Sequence, residues 1–270
     1  MNASMAEGPS SRPSIVGMVQ LRPLPGSARY RGEPLPRIVD AALAEAELLA
    51  QCGFSGVQVQ NMGDNPSTRR ASFETVAYMT ALCREIRSTL PQLGLSVLVN
   101  WDAEASIAVG HAAAADYIRV EHTYVGASVT SWGLSQACCY EATRFRARIG
   151  ADIPIYADLL EPHAVPLVQR PIEAWAQAAV FEGAADGLFV TGTSPEESLA
   201  LIFRVQRTTD VPIWLGGGAT PENVAMFLPH VSGLTVATSI KLNGDMANPI
   251  DRHLAEALVK AVNTPDIVNT

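Results

Sequence analysis

Three consecutive glycines, Gly216, Gly217 and Gly218, precede Ala219-Thr220 near the C-terminal end of the sequence, and Thr238-Ser239 stands a short way further on. Glycine lets main-chain N–H groups approach an anion closely, and a helix opening at Pro221 would add a favourable dipole. Lys241 would contribute a positive charge. These six polar or glycine positions (Gly216, Gly217, Gly218, Thr238, Ser239 and Lys241) form a candidate phosphate site, the plainer alternative being that the glycines merely turn the chain.

A second set of polar residues ends short apolar runs: Gln20 and Arg22, then Gln60, Asn61 and Asp64, then Asn100 and Asp102, then Arg119, Glu121 and His122, then Asp158, then Thr191. Unpaired polar groups are costly where water is excluded, so some must pair with one another. Arg119 is a natural partner for Asp64 or Asp158. Asp158 directly follows Ile153–Ala157; desolvation there raises a carboxylate into the range where it can move protons. Glu121 is its expected partner in acid/base work, and His163, in Glu161-Pro162-His163, could shuttle protons or simply cap the next segment. Asp158, Glu121, His163 and Asp64 are thus the candidate catalytic residues. Gln20, Arg22, Asn61, Asn100, Arg119, Trp132 and Thr191 are candidates for holding substrate. Asp64, Glu121 and Asp158 together would suit magnesium; no cofactor is otherwise required. The loop from Leu21 to Gly32 carries two prolines and three arginines and suits an anion clamp or lid. Trp101, Tyr124 and Trp132 offer an aromatic wall for a planar ring, or ordinary packing.

The elements that must position these residues follow from periodicity. Eight short apolar runs, Ile15–Val19, Gly56–Gln60, Leu95–Val99, Tyr117–Val120, Ile153–Ala157, Gly187–Val190, Ile213–Leu215 and Leu234–Ala237, read as parallel strands buried on both faces. Between them lie helical patterns over Pro36–Cys52, Phe73–Leu90, Glu104–Ala114, Gln136–Ile149, Ile172–Glu182, Pro195–Thr208, Pro221–Leu228 and Asp251–Val262. Thr193-Ser194-Pro195-Glu196, Thr220-Pro221-Glu222 and Asn248-Pro249 read as helix starts. Eight β-then-α units predict a single-domain (β/α)8 TIM barrel over residues 15–263, with tails at 1–14 and 264–270. A doubly wound open sheet ranks second because no G-x-G-x-x-G follows the first run. In such a barrel the chemistry sits in the loops after the strands, where the candidates above fall.

Composition narrows the partners. Lys plus Arg is 19 and Asp plus Glu is 27, a net charge of −8 with no basic run, which argues against nucleic acid and anionic membrane surfaces. No apolar stretch reaches the length of a membrane span, and the polar N-terminal segment lacks a signal peptide's apolar region. Cys52, Cys83, Cys138 and Cys139 show neither C-x-x-C nor zinc spacing and read as reduced thiols of a cytoplasmic protein. The Ala-rich stretch Ala41–Ala50 suits packing inside a barrel shell or against a second copy in a homo-oligomer.

Taken in order, several segments resemble the BtpA/SgcQ family from about Ser14 to Ala261. Gly17–Arg29 is similar to G-[MV]-[IV]-H-L-x-P-L-P-G-S-x-R, Asn61-Met62-Gly63-Asp64 with Pro66 to N-F-x-D-x-P, and Tyr117–Val120 to F-I-R-V. Ala157-Asp158 with His163-Ala164, Gly216–Asn223, and Val236–Lys241 with Gly244 resemble the remaining family segments. The resemblance implies a phosphate-type barrel; cyanobacterial members are tied to photosystem I biogenesis, and bacterial relatives sit beside sugar-metabolism genes. The departures cluster at strand ends. Gln20 stands for the family's His, Gln60 for Glu, Ser67 for Phe, Asn100-Trp101 for Arg-Asn, Glu121 for Asn, Ser131-Trp132 for Asp-Gln, and Leu160 and Pro162 for His and Lys. The loss of that lysine argues against a Schiff base.

Two functions follow. One is a divergent enzyme that acts by acid/base chemistry on a small anionic, phosphorylated sugar or nucleotide-type metabolite, as an isomerase, a lyase or a glycosyl or phosphosugar transferase, in a specialised biosynthetic role. The other is a non-catalytic assembly or regulatory protein akin to the photosystem I biogenesis factors.

Overall fold

The computed structural model describes residues 12–160 and 164–264. Of the expected tails at 1–14 and 264–270, residues 1–11 and 265–270 lie outside the described residues, as does His163, and Ser14 already belongs to the first strand. The strands are, in chain order, β1 (Ser14–Gln20), β2 (Gly56–Gln60), β3 (Gly94–Leu98), β4 (Tyr117–Val120), β5 (Ala127–Thr130), β6 (Gly133–Gln136), β7 (Ile155–Asp158), β8 (Val165–Pro166), β9 (Gly187–Val190), β10 (Ile213–Leu215) and β11 (Gly233–Val236). Eight of them close a parallel barrel in the ring order β1-β11-β10-β9-β7-β4-β3-β2. Every residue of β2, β4, β9, β10 and β11 is buried, as strands covered by helices outside and side chains inside require. The (β/α)8 reading of the sequence therefore holds, with all eight expected strands present.

The helices are α1 (Leu35–Cys52), α2 (Phe73–Thr89), α3 (Ala103–Ala112), α4 (Cys139–Arg148), α5 (Ile172–Gln177), α6 (Pro195–Gln206) and α7 (Arg252–Asn263). In α1 the buried stripe Ile38, Ala42, Ala46, Leu49 and Cys52 follows helical spacing and packs on the barrel. Side-chain caps start several others: Ser72 accepts from the Thr75 amide, Asp102 from Ala105, Ser194 from Glu197, and Asp251 from His253 and Leu254. Each such cap contributes about 1 kcal/mol.

The structure departs from the sequence reading at three places. The helix expected at Pro221–Leu228 is replaced by 3₁₀ turns at Val224–Met226 and Leu228–His230. There the Asn223 side chain takes over turn bonding, accepting from the Thr220 amide and donating to the Gly218 carbonyl, and Pro229 removes the donor a longer helix would need. The last helix keeps its expected place, Arg252–Asn263 under an Asp251 cap, and the start signal at Asn248-Pro249 does not open it. The stretch after β4, expected as a loop, is a β5–β6 hairpin that joins β8 in a separate three-stranded sheet of order β6-β5-β8. The expected fourth helix accordingly begins at Cys139, since β6 uses the chain through Gln136.

Inside the barrel, Val16, Tyr117, Phe189 and Trp214 form a plug against which Tyr156 packs. Burial of an apolar side chain such as Phe189 contributes about 1.5–3 kcal/mol. Gly233 makes room for the plug, because a Cβ there would come within 2.6 Å of the Trp214 ring. This floor places the polar residues above it at the C-terminal mouth.

Candidate active site

One side of the mouth is built from main chain. The loops after β10 and β11 enclose a cavity of about 260 Å³ lined by Met18, Gly216, Gly217, Gly218, Ala219, Thr220, Thr235, Ala237, Thr238, Ser239 and Gly244. The three glycines differ in role. A Cβ on Gly216 would meet Thr191 Oγ1 at 2.5 Å and Arg119 Nη2 at 3.1 Å, so that position must stay bare for the arginine to approach. Gly217 and Gly218 face open space, and Gly218 has φ +82°. Thr220, Thr235, Thr238 and Ser239 complete a lining without a charged side chain.

Two expected cations do not reach this cavity. Lys241 is buried and donates to the Asn248 carbonyl at 3.1 Å. Burial lowers its pKa, against the pull of Glu45 on α1. Arg22 is exposed and bonds Glu33 at 2.5 Å. Nor does a helix dipole point at the glycines from Pro221, since a turn and not a helix follows them. What remains there for an anion is main chain and hydroxyls.

The centre of the mouth holds a buried ion pair. Arg119, at the inner end of β4, donates from Nε to Asp158 Oδ1 at 2.9 Å and from Nη2 to Asp158 Oδ2 at 2.8 Å. Its guanidinium also lies 4.2 Å from the Phe189 ring centroid, 3.4 Å from Thr235 Oγ1 and 3.5 Å from the Gly216 carbonyl. One side chain thereby ties β4 and β7 to the glycine loop. Burial pushes the Asp158 carboxyl up to about 7, against the lowering pull of Arg119. Burial disfavours the charge on Arg119, but Asp158 overrides it and raises its pKa. Both oxygens of Asp158 are engaged by Arg119, so of the two expected acid/base carboxylates Glu121 is the freer.

Glu121 is half-buried and heads a chain of polar groups across the neighbouring strand ends. Gln60 Nε2 donates to Glu121 Oε2 at 3.0 Å and to Asn100 Oδ1 at 2.9 Å. The Asn100 amide donates to Asn61 Oδ1 at 2.7 Å, and Asn61 Nδ2 to Asp64 Oδ2 at 3.0 Å. Asp64 Oδ1 accepts the Leu24 amide at 2.7 Å. Burial raises the Asp64 carboxyl, with Asn61 and Leu24 pulling it back. Asp64 thus fastens the loop after β1 instead of meeting Arg119. The expected gathering of Asp64, Glu121 and Asp158 around one metal does not form, because among the described residues no three His, Cys, Asp or Glu side chains are grouped for an ion. Gln20 donates to Met246 Sδ at 3.3 Å, while its Oε1 is buried without a partner.

The far side is aromatic. Trp101, just after β3, holds φ 64°, a left-handed conformation that costs a bulky L-residue about 1–3 kcal/mol. Its ring lies 4.5 Å from that of His122 and 4.8 Å, edge-on, from that of Trp132. Burial pushes His122 down to about 4, with a Trp101 main-chain hydrogen bond and Asp102 opposing, so the imidazole is neutral at pH 7. Tyr124 is not part of this wall: it is buried and its hydroxyl donates to the Gly183 carbonyl. Glu121, His122 and Asp158 also line a small cavity of about 20 Å³ beside Ala127 and Ser128 of β5, room for one water. Sequence reasoning missed the β5–β6 pair, although the alternation through Ala127–Thr130 and Gly133–Gln136 about a turn carried a hairpin signal. It also missed Thr235, hidden inside an apolar run.

Comparison with known proteins places this geometry among relatives. A model described as the BtpA family matches residues 11–264. An uncharacterised protein of Pyrococcus furiosus is 31% identical over 258 residues, covering 94% of this chain and 96% of its own. The Photosystem I biogenesis protein BtpA of Synechocystis is 31% identical over 255 residues, covering 92% and 87% respectively. Among solved structures, thiamine phosphate pyrophosphorylase from Pyrococcus furiosus matches with TM-score 0.56 at 14% identity, covering 92% of this chain and 95% of its own. Orotidine 5'-phosphate decarboxylase from Pyrococcus horikoshii OT3 matches with TM-score 0.58 at 14% identity, covering 93% and 100%. At such identities the structural likeness speaks for the fold.

Proposed function

The chain belongs to the BtpA family, and from that premise we propose that it is an enzyme binding a small phosphorylated metabolite in the cavity after β10 and β11. The observation that carries this reading is the 260 Å³ cavity lined by Gly216–Gly218 and by the hydroxyl-bearing residues Thr220, Thr235, Thr238 and Ser239. In barrels of this type the loops after the seventh and eighth barrel strands form the usual phosphate site. The names of the two barrel neighbours, each carrying the word phosphate, support it. Gly217 and Gly218 present bare main chain to the ligand, and Thr238 and Ser239 donate hydroxyls.

Glu121 moves the proton. It is half-buried and takes one hydrogen bond from Gln60, which leaves Oε1 for the ligand. General acid/base catalysis of this kind contributes about 10²–10⁴-fold. Asp158 keeps Arg119 charged and aimed, and Arg119 stabilises negative charge developing between the phosphate and Glu121. The reaction class is isomerisation, bond cleavage or transfer at a sugar-type carbon next to the anchored phosphate.

Calorimetric titration with inorganic phosphate, ribose 5-phosphate and glucose 6-phosphate, with and without magnesium, tests the anchor. Binding that Gly217→Val removes, while the unfolding temperature holds, supports it. A Glu121→Gln protein that still binds phosphate esters but turns none over supports the proton role. Failure of every phosphate compound to bind overturns the reading and moves the weight to an assembly role like that named for the Synechocystis relative.

A further inference from the structure

The ring order of the barrel puts β3 opposite β10 and β4 opposite β11. Trp101 and His122, which follow β3 and β4, therefore face Gly216–Gly218 and Thr238–Ser239 across the mouth. Arg119 and Glu121 lie between the two sides. Of the four tryptophans, Trp175 and Trp214 are buried, whereas Trp132 is 49% exposed. Trp132 sits in the turn between β5 and β6, and its ring is braced edge-on by Trp101. Trp101 is itself held in a left-handed backbone conformation against His122. The indole of Trp132 is thus half exposed and braced by a neighbour whose own backbone is costly to hold.

Resting on the phosphate reading above, we propose that the ligand is a phosphate ester whose other end is a planar aromatic ring, of the nucleoside monophosphate type. The phosphate occupies the glycine cavity, the ring stacks on Trp132 beside Trp101, and a sugar-length spacer passes over Arg119 and Glu121. An indole accepts any planar π-face, so this subsite selects for a ring without naming one base. A phosphosugar without a ring fills only half of the mouth.

The test is a set of titrations of the full chain with adenosine 5'-monophosphate, uridine 5'-monophosphate, ribose 5-phosphate and adenosine, followed by calorimetry and tryptophan fluorescence. Stacking of one base is worth roughly 10-fold or more in affinity, so the nucleotides should bind at least about 10-fold tighter than ribose 5-phosphate and perturb the emission. Trp132→Ala should erase that advantage and leave ribose 5-phosphate binding unchanged, Trp132→Tyr should keep part of it, and Gly217→Val should weaken nucleotide and phosphosugar alike. Equal affinities for the nucleotides and ribose 5-phosphate, or a nucleotide advantage that survives Trp132→Ala, overturn the aromatic subsite and leave the phosphate site standing. Adenosine binding that depends on Trp132, with no gain from a phosphate, supports the aromatic subsite and overturns the phosphate reading. No binding by any ring compound overturns the subsite. Unchanged unfolding temperatures of the Trp132 variants establish that they fold.

Discussion

The two sides of the barrel mouth are made of different material. After β10 and β11 the wall is main chain and small hydroxyls around an open cavity of about 260 Å³. After β3 and β4 it is large side chains, Trp101, His122 and Trp132, beside a small space of about 20 Å³ lined in part by the hairpin. A main-chain wall tolerates change in neighbouring side chains because its donors belong to the backbone. A side-chain wall is rebuilt by each substitution, and the departures from the BtpA/SgcQ pattern at Asn100-Trp101, Glu121 and Ser131-Trp132 all fall on that side. On the proposed reading, the main-chain half is the anchor for a ligand and the side-chain half its selector.

Arg119 joins the halves, and its loss should have the largest effect. Arg119→Met leaves the Asp158 carboxyl buried without a partner, which should destabilise the fold by about 3–5 kcal/mol in urea unfolding. Arg119→Met with Asp158→Leu should recover most of that. Next in size is a pH effect on the selector side alone. The folded His122 binds a proton only near pH 4, whereas the unfolded imidazole does so near its ordinary 6.5. Above pH 6.5 both are neutral and stability is complete; as pH falls from 6.5 towards 4 the unfolded chain takes up the proton and stability drops, by about 3 kcal/mol in total. The difference between wild type and His122→Gln, measured by denaturant titration across that window, isolates this term.

On the anchor side, Gly216→Ala should cost about 1–3 kcal/mol through its clash with Thr191 and Arg119. Gly217→Ala, facing open space, should change stability by less than about 0.5 kcal/mol. Equal costs by thermal unfolding would erase the distinction drawn between these adjacent glycines. The smallest expected effect is at Lys241. Because its ammonium bonds Asn248 and not the cavity, Lys241→Met should alter phosphate affinity by less than about twofold, about 0.4 kcal/mol. A tenfold loss in calorimetry would return Lys241 to the anion site.

Much of this molecule was legible in the order of its residues. Runs such as Tyr117–Val120 and Gly187–Val190 are buried on every position, and a strand with both faces covered leaves an unbroken apolar signature. Repetition of that signature between helical patterns led to the barrel, and the barrel placed Gly216–Gly218 at the mouth. Pairing was another matter. Arg119 meets Asp158 across 39 positions and Asp64 meets Leu24 across 40. Which carboxylate faces the arginine depends on how far each strand is staggered as the sheet closes. Lys241 reads in sequence as a charge for the phosphate site, but after folding it is buried, donates to the Asn248 carbonyl and feels the pull of Glu45. The helix expected at Pro221–Leu228 failed locally, where Asn223 and Pro229 outweighed helical periodicity. The sequence by itself determined the eight barrel strands, most helices and the glycine loop after β10, since these depend on local pattern and on backbone freedom. Only the tertiary structure decided which charges are paired and which aromatic rings meet, because those contacts are set by barrel closure and not by neighbours along the chain.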